Sequence, residues 1–179
     1  MPSSRTVLDL RRGNRARVLR RFLLNGESTR AQLAEECGLS TATITNVVTD
    51  LIAEGLVEEA GVHPSEGGRP VSRLSTRRAG AFALGVDVGE SSVVVDLYDL
   101  GLQRVDRETG SAGHIAAEPQ VIGETLAAAV KAIRFRNKQI EDRLVGLGLG
   151  LPGIVETHAN GTTTLHAQSL GWEPVDLDA

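Results

Sequence analysis

The sequence predicts an α+β chain in two parts, a small helical head closed by a β-hairpin and an α/β lobe. Three observations predict it. An amphipathic helix precedes two short helices joined at Cys37-Gly38-Leu39-Ser40; a Gly/Pro-rich segment between two short strands follows; and from Ala79 the pattern changes to closely spaced apolar strands broken by one long helix. The boundaries read as 1–78 for the head and 79–179 for the lobe.

Charge divides the same way. The 179 residues carry a net charge of −4, but residues 1–78 hold 12 Lys+Arg against 9 Asp+Glu, a net +3, and residues 79–179 hold 7 against 14, a net −7. A mildly basic head beside an acidic lobe confines any contact with a polyanion to the head. No apolar run approaches the roughly 20 residues that cross a bilayer, and MPSSRTVLDLRR lacks an apolar signal core, so the expected location is cytoplasmic, with no membrane partner. The single cysteine, Cys37, excludes an internal disulfide and reads as a small packing residue. His63, His114, His158 and His166 are scattered without ligand spacing, and no metal site is expected.

In order, Asn14 to Gly26 is a helix with Val18, Leu19, Phe22 and Leu23 on one stripe and Arg15, Arg17, Arg20 and Arg21 around it. Those arginines read equally as a solvated face or as contacts to a phosphate backbone. A second helix, Arg30 to Glu36, stops at Gly38, which takes positive φ without steric cost. Ser40 is the N-cap of a third helix whose buried stripe is Ile44, Val47, Val48, Leu51 and Ile52. The opposite face carries Ala42, Thr45, Asn46 and Thr49, flanked by Thr41 and Thr43. Small, polar and uncharged, that face suits close approach to a duplex.

Strands Leu56 to Ala60 and Val71 to Ser75 bracket GVHPSEGGRP and complete a winged helix-turn-helix. In Gly67-Gly68-Arg69-Pro70 one arginine sits on a thin, extended backbone, a shape suited to a narrow minor groove whose negative potential attracts Arg; Arg73 follows on the returning strand of the wing. In the lobe, strands Ala81 to Val88, Ser92 to Leu97 and Gln103 to Glu108 are followed by a helix, Glu118 to Asn137. Its buried side is Val121, Ile122, Leu126, Ala129, Val130 and Ile133. A buried strand, Arg143 to Leu151, completes a mixed sheet of ribonuclease-H-like order.

At NRARVL, LAEECGLSTATITNVVTDLIAEGLV, GGRP, GVDVGESSVVVDLYDL, GLGLGLPGIVE and LGWEPVDL, the chain resembles the ROK family (repressors, open reading frames and kinases), in its transcription-regulator branch. The resemblance implies a winged helix followed by part of an actin/hexokinase-like lobe. It implies a sequence-specific DNA-binding regulator, a repressor of carbohydrate genes with a sugar or sugar-phosphate effector. The recognition helix would read double-stranded DNA through Thr41, Ala42, Thr43, Thr45, Asn46 and Thr49, with Arg69 in the minor groove. The operator is expected to be palindromic and the protein a homodimer or higher homo-oligomer.

In a kinase of that family, Asp87, Gly89, Ser91 and Ser92 would form a phosphate-binding turn. Glu90 replaces the second glycine of that turn and would repel ATP, so the turn reads as vestigial and the chain as no enzyme. The family's catalytic base, sugar-binding motif and cysteine-rich zinc motif would all lie beyond Ala179, so the lobe is expected to be truncated, without zinc or another cofactor, and with apolar surface uncovered around GLGLGLPGIV. A sugar kinase, a protein-interaction module and an inactive truncated relic stand as alternatives.

Overall fold

A computed structural model describes residues 6–65, 68–111 and 118–178, and for 62–65 and 68–70 the backbone alone. The chain forms two compact units, one running to Ala81 and including Asp99–Gln103, the other containing Phe82–Tyr98 and the chain from Arg104 onward.

The first unit contains α1 (Val7–Asn25), α2 (Arg30–Cys37) and α3 (Thr41–Ala53), then β1 (Val57–Ser65) and β2 (Gly68–Thr76). Helix α1 begins at Val7 rather than Asn14, because Thr6 and Asp9 form a capping box: the Asp9 N–H donates to Thr6 Oγ1 at 3.2 Å and the Thr6 N–H to Asp9 Oδ2 at 2.9 Å. The reciprocal cap offsets the cost of Gly13 inside the helix, about 1 kcal/mol relative to alanine. Helix α3 is capped by Ser40, whose Oγ accepts from the Thr43 N–H at 3.1 Å.

The core of this unit contains Val18, Phe22, Leu33, Cys37, Ile44, Val47, Val48, Leu51, Val57 and Leu74. Burial pushes the Cys37 thiol pKa up, as a packing role requires. Leu19 and Ile52 pack on the margin of this core rather than inside it.

The wing strands run several residues further into the Gly/Pro segment than the sequence indicates, with pairs from Val57↔Thr76 to Ser65↔Gly68. A two-stranded ribbon has an open edge on each strand, so prolines there need break no ladder. One register shift falls between Glu59 and Gly61, where Gly61 takes φ 118°. Ser28, buried just before α2, adds a further antiparallel bridge to Leu74 through bonds of 3.0 and 2.9 Å.

The second unit has β3 (Phe82–Val88), β4 (Ser92–Asp99), β5 (Arg104–Ser111), α4 (Pro119–Arg136) and β6 (Leu144–Gly150). They form one sheet in the order β5-β4-β3-β6, with β4 and β5 antiparallel and β3 and β6 parallel. The parallel pair closes across α4, as a crossover must, giving the ribonuclease-H-like arrangement. The core joins Phe82, Leu84, Val86 and Val88 of β3 and Val93, Val95 and Leu97 of β4 to Ile122, Ala129 and Ile133 of α4.

Two expectations fail here. Val121 is exposed, because it lies at the start of α4 to one side of the buried stripe. Strand β6 is not buried: Val145, Leu147 and Leu149 are 74, 47 and 48 % exposed, because β6 ends the sheet. Apolar surface around GLGLGLPGIV is thus exposed, and continues to Ile154 and Val155. A small antiparallel sheet that the sequence reading missed follows, in the order β7 (Ile154–Thr157), β8 (Thr163–His166), β9 (Val175–Asp176).

Candidate nucleic-acid interface

The α2–α3 corner fixes how the third helix is presented. Gly38 adopts φ 60°, ψ 38°, and its N–H bonds the Ala34 and Glu35 carbonyls, so α2 ends in one residue and α3 starts three residues later. The Ile44, Val47, Val48 and Leu51 stripe is buried, which leaves Thr41, Ala42, Thr45, Asn46 and Thr49 exposed on the other side. Thr43 is half-buried. Six of the residues read as base- or phosphate-facing therefore share one helix, five of them fully on its open side.

Their hydroxyls are already partly engaged. Thr45 Oγ1 donates to the Thr41 carbonyl and Thr49 Oγ1 to the Thr45 carbonyl, each at 2.8 Å. With the hydroxyl proton turned back onto the helix, these threonines offer outward a methyl group and acceptor lone pairs. Thr43 Oγ1 is bonded to Ser40 Oγ at 2.8 Å. Asn46 has no intramolecular hydrogen bond among the described residues, so its amide keeps both a donor and an acceptor for a base edge.

The arginines of α1 divide between structural and open roles. Arg15 forms a bidentate pair with Glu54 at 2.7 and 2.5 Å, Arg17 donates to the Cys37 carbonyl at 2.9 Å, and Arg21 pairs with Glu36. The Glu54 carboxylate holds the Arg15 pKa up and is itself held down by it. These bonds tie α1 to α2 and to the end of α3. Arg20 is exposed.

In the wing, Arg73 donates to Glu27 at 3.3 Å. Gly67 lies outside the described residues. The backbones of Gly68, Arg69 and Pro70 lie in β2, and their side chains are outside what is described.

In the lobe, Asp87 is exposed at the end of β3, paired in register with Gly150. The Gly89 N–H donates to the Ser92 carbonyl at 2.8 Å, closing the β3–β4 turn. That donor is therefore satisfied within the turn, while Ser91 is exposed and Ser92 half-buried. Of the histidines, His114 lies outside the described residues, as does the side chain of His63. His158 and His166 are not scattered: both flank Glu156, with His158 Nδ1 3.8 Å and His166 Nε2 3.3 Å from its carboxylate oxygens. The β7–β8 pairing brings them together, which linear spacing does not reveal. Among the described residues no group of three or more His, Cys, Asp or Glu could hold a metal ion.

A MarR family model matches residues 10–69, the helices and most of the wing. Similarity over both units comes from sugar repressors. The xylose repressor of Bacillus subtilis (strain 168) is 28% identical over 167 residues, covering 92% of this chain and 41% of that protein. A putative xylose repressor of Caldicellulosiruptor sp. (strain Rt8B.4) is 28% identical over 164 residues, covering 92% and 40%. The DNA-binding transcriptional dual regulator NagC of Escherichia coli (strain K12) is 26% identical over 164 residues, covering 91% and 40%. The chain thus spans about 40% of the length of these relatives. Among solved structures, a ROK family transcriptional regulator, homolog of the E. coli MLC protein, superposes with a TM-score of 0.60 at 22% identity, covering 86% of this chain and 38% of that one. That likeness shows the fold. The head's motifs, the lobe's strand order and relatives matched through both units point the same way: the chain is similar to transcriptional regulators of the ROK family.

Proposed function

We propose that the protein is a sequence-specific DNA-binding repressor of carbohydrate-metabolism genes, acting in the cytoplasm as a homodimer or higher homo-oligomer on a palindromic operator. The observation that carries this is the outer face of α3: Thr41, Ala42, Thr45, Asn46 and Thr49 stand exposed, without a charge among them, on a helix whose reverse side is locked into the head core. On this reading α3 enters the major groove, Asn46 reads an adenine, and the Thr45 and Thr49 methyls meet thymine methyls. Arg69 on the wing enters the neighbouring minor groove. The named repressors support the choice of repressor over activator, and xylose and N-acetylglucosamine are the effectors to try first.

The lobe is read as a non-catalytic effector-binding element. Glu90 in the β3–β4 turn opposes a bound polyphosphate, and the Gly89 N–H is already bonded to Ser92. The test is selection of binding sites from a randomised duplex pool. Enrichment of a palindrome is expected, with affinity falling steeply as salt rises. An unenriched pool, or sugar-dependent ATP turnover by the same preparation, would overturn the reading.

A further inference from the structure

We infer that the groove between α1 and α3 is a clamp for one phosphate of the DNA backbone, with Arg11 as its cation; this rests on the DNA-binding reading above. The groove, about 580 Å³, is lined by Arg11, Asn14, Arg15, Thr43, Asn46 and Asp50, among others. It opens beside the α3 face just described, and Asn46 belongs to both.

The arginine pattern of α1 singles out Arg11. Arg15, Arg17 and Arg21 are each committed to Glu54, the Cys37 carbonyl or Glu36. Arg12 and Arg20 are exposed and do not line the groove. Arg11 lines it, with no intramolecular partner among the described residues. Asp50 shares the groove, yet among the described residues no ion pair within 4.0 Å joins it to Arg11. The guanidinium is thus left open to an incoming anion, with the side-chain amides of Asn14 and Asn46 as neutral donors nearby. A helix lying in the major groove has a phosphodiester strand along its flank, and the helix packed across that flank is placed to meet it. Here the crossing element is the capped N-terminal half of α1, the part that extends beyond the amphipathic stripe.

A backbone clamp is blind to sequence, so it can be tested before any operator is known. The full chain is titrated with a labelled mixed-sequence duplex of about 30 base pairs, from roughly 50 to 200 mM salt, by fluorescence anisotropy. Arg11→Ala is expected to reduce the slope of log K against log salt by about 0.9, the signature of one lost phosphate contact. Arg11→Lys should restore the slope, and Lys131→Ala, an equal charge change on α4, should leave it unaltered. An unchanged slope for Arg11→Ala, or an equal fall for Lys131→Ala, overturns the clamp while leaving DNA binding intact. A wild-type chain that fails to bind the duplex at low salt overturns both. Because Arg11 makes no intramolecular bond among the described residues, its loss should leave the far-ultraviolet circular dichroism unchanged.

Discussion

Replacing Gly38 isolates what the α2–α3 corner needs from its sequence. The residue sits at φ 60°, ψ 38°, and a Cβ built there meets nothing within 4 Å. A substitution therefore clashes with no neighbour, and its cost is the backbone's alone. For an ordinary L-residue the left-handed region costs about 1 to 2 kcal/mol. Asparagine, which visits that region more readily, should cost less than alanine, and valine should cost more. For a unit of some 80 residues, each kcal/mol corresponds to about 4–8 °C in Tm. The assay separates the two units spectroscopically. The only tryptophan, Trp172, lies in the lobe, whereas α1, α2 and α3 hold 40 helical residues against the 18 of α4, so ellipticity at 222 nm reports mainly the head. Gly38→Ala should lower the ellipticity transition and leave the Trp172 transition in place. If alanine matched wild type, or asparagine proved as costly as alanine, left-handed geometry would not be what glycine supplies.

Four further outcomes follow from the same geometry. Asn46→Ala should relax the preference at one base pair by about 1–3 kcal/mol, read as the ratio of affinities for matched and single-substituted sites. Arg69→Ala should weaken binding chiefly to duplexes with A·T-rich flanks, so an equal loss on G·C-rich flanks would remove Arg69 from the minor groove. Leu74→Ala should destabilise the head by about 2–5 kcal/mol, since its fully buried side chain leaves a cavity beside Ser28, measured by urea denaturation at 222 nm. In the lobe, Asp96 accepts from Arg107 at 2.6 and 2.7 Å and from the Tyr98 hydroxyl at 3.1 Å, and the Arg107 bonds hold its pKa below the ordinary carboxylate value. A depressed folded-state pKa contributes stability that is complete above the unfolded value, about 3.9, and is lost as pH falls through the folded one. Asp96→Asn should therefore lower the urea midpoint of Trp172 fluorescence at neutral pH, and the gap should close in acid.

The head was legible because its signals are local. The Ser40 cap, the Gly38 stop and the Ile44-Val47-Val48-Leu51 stripe each lie within a few residues of what they determine. The early start of α1 was legible too, in Thr6-Val7-Leu8-Asp9, a capping pattern masked by the arginines and the glycine that follow. The fate of the α1 arginines was not. Glu54 lies 39 residues from Arg15 and Glu36 15 from Arg21, so which guanidinium is tied down and which is left open depends on tertiary packing. The same holds for His158 and His166, joined at Glu156 only once β7 and β8 pair.

Strand β6 shows the limit of an apolar run as a sign of burial. In the parallel register Leu147 stands beside Leu84 and Leu149 beside Val86. The β3 partner of each pair is buried, at 4 and 5 %, whereas its β6 neighbour is about half exposed. Chemistry and facing are the same within each pair. What differs is position, since β3 has a strand on either side and β6 has one on a single side. Gly146, Gly148 and Gly150 place no side chain on the opposite face, so over 146–150 β6 carries its apolar side chains, Leu147 and Leu149, on one side and at one edge. An unbroken apolar strand therefore indicates which residues prefer to leave water, and strand order decides how many of them do.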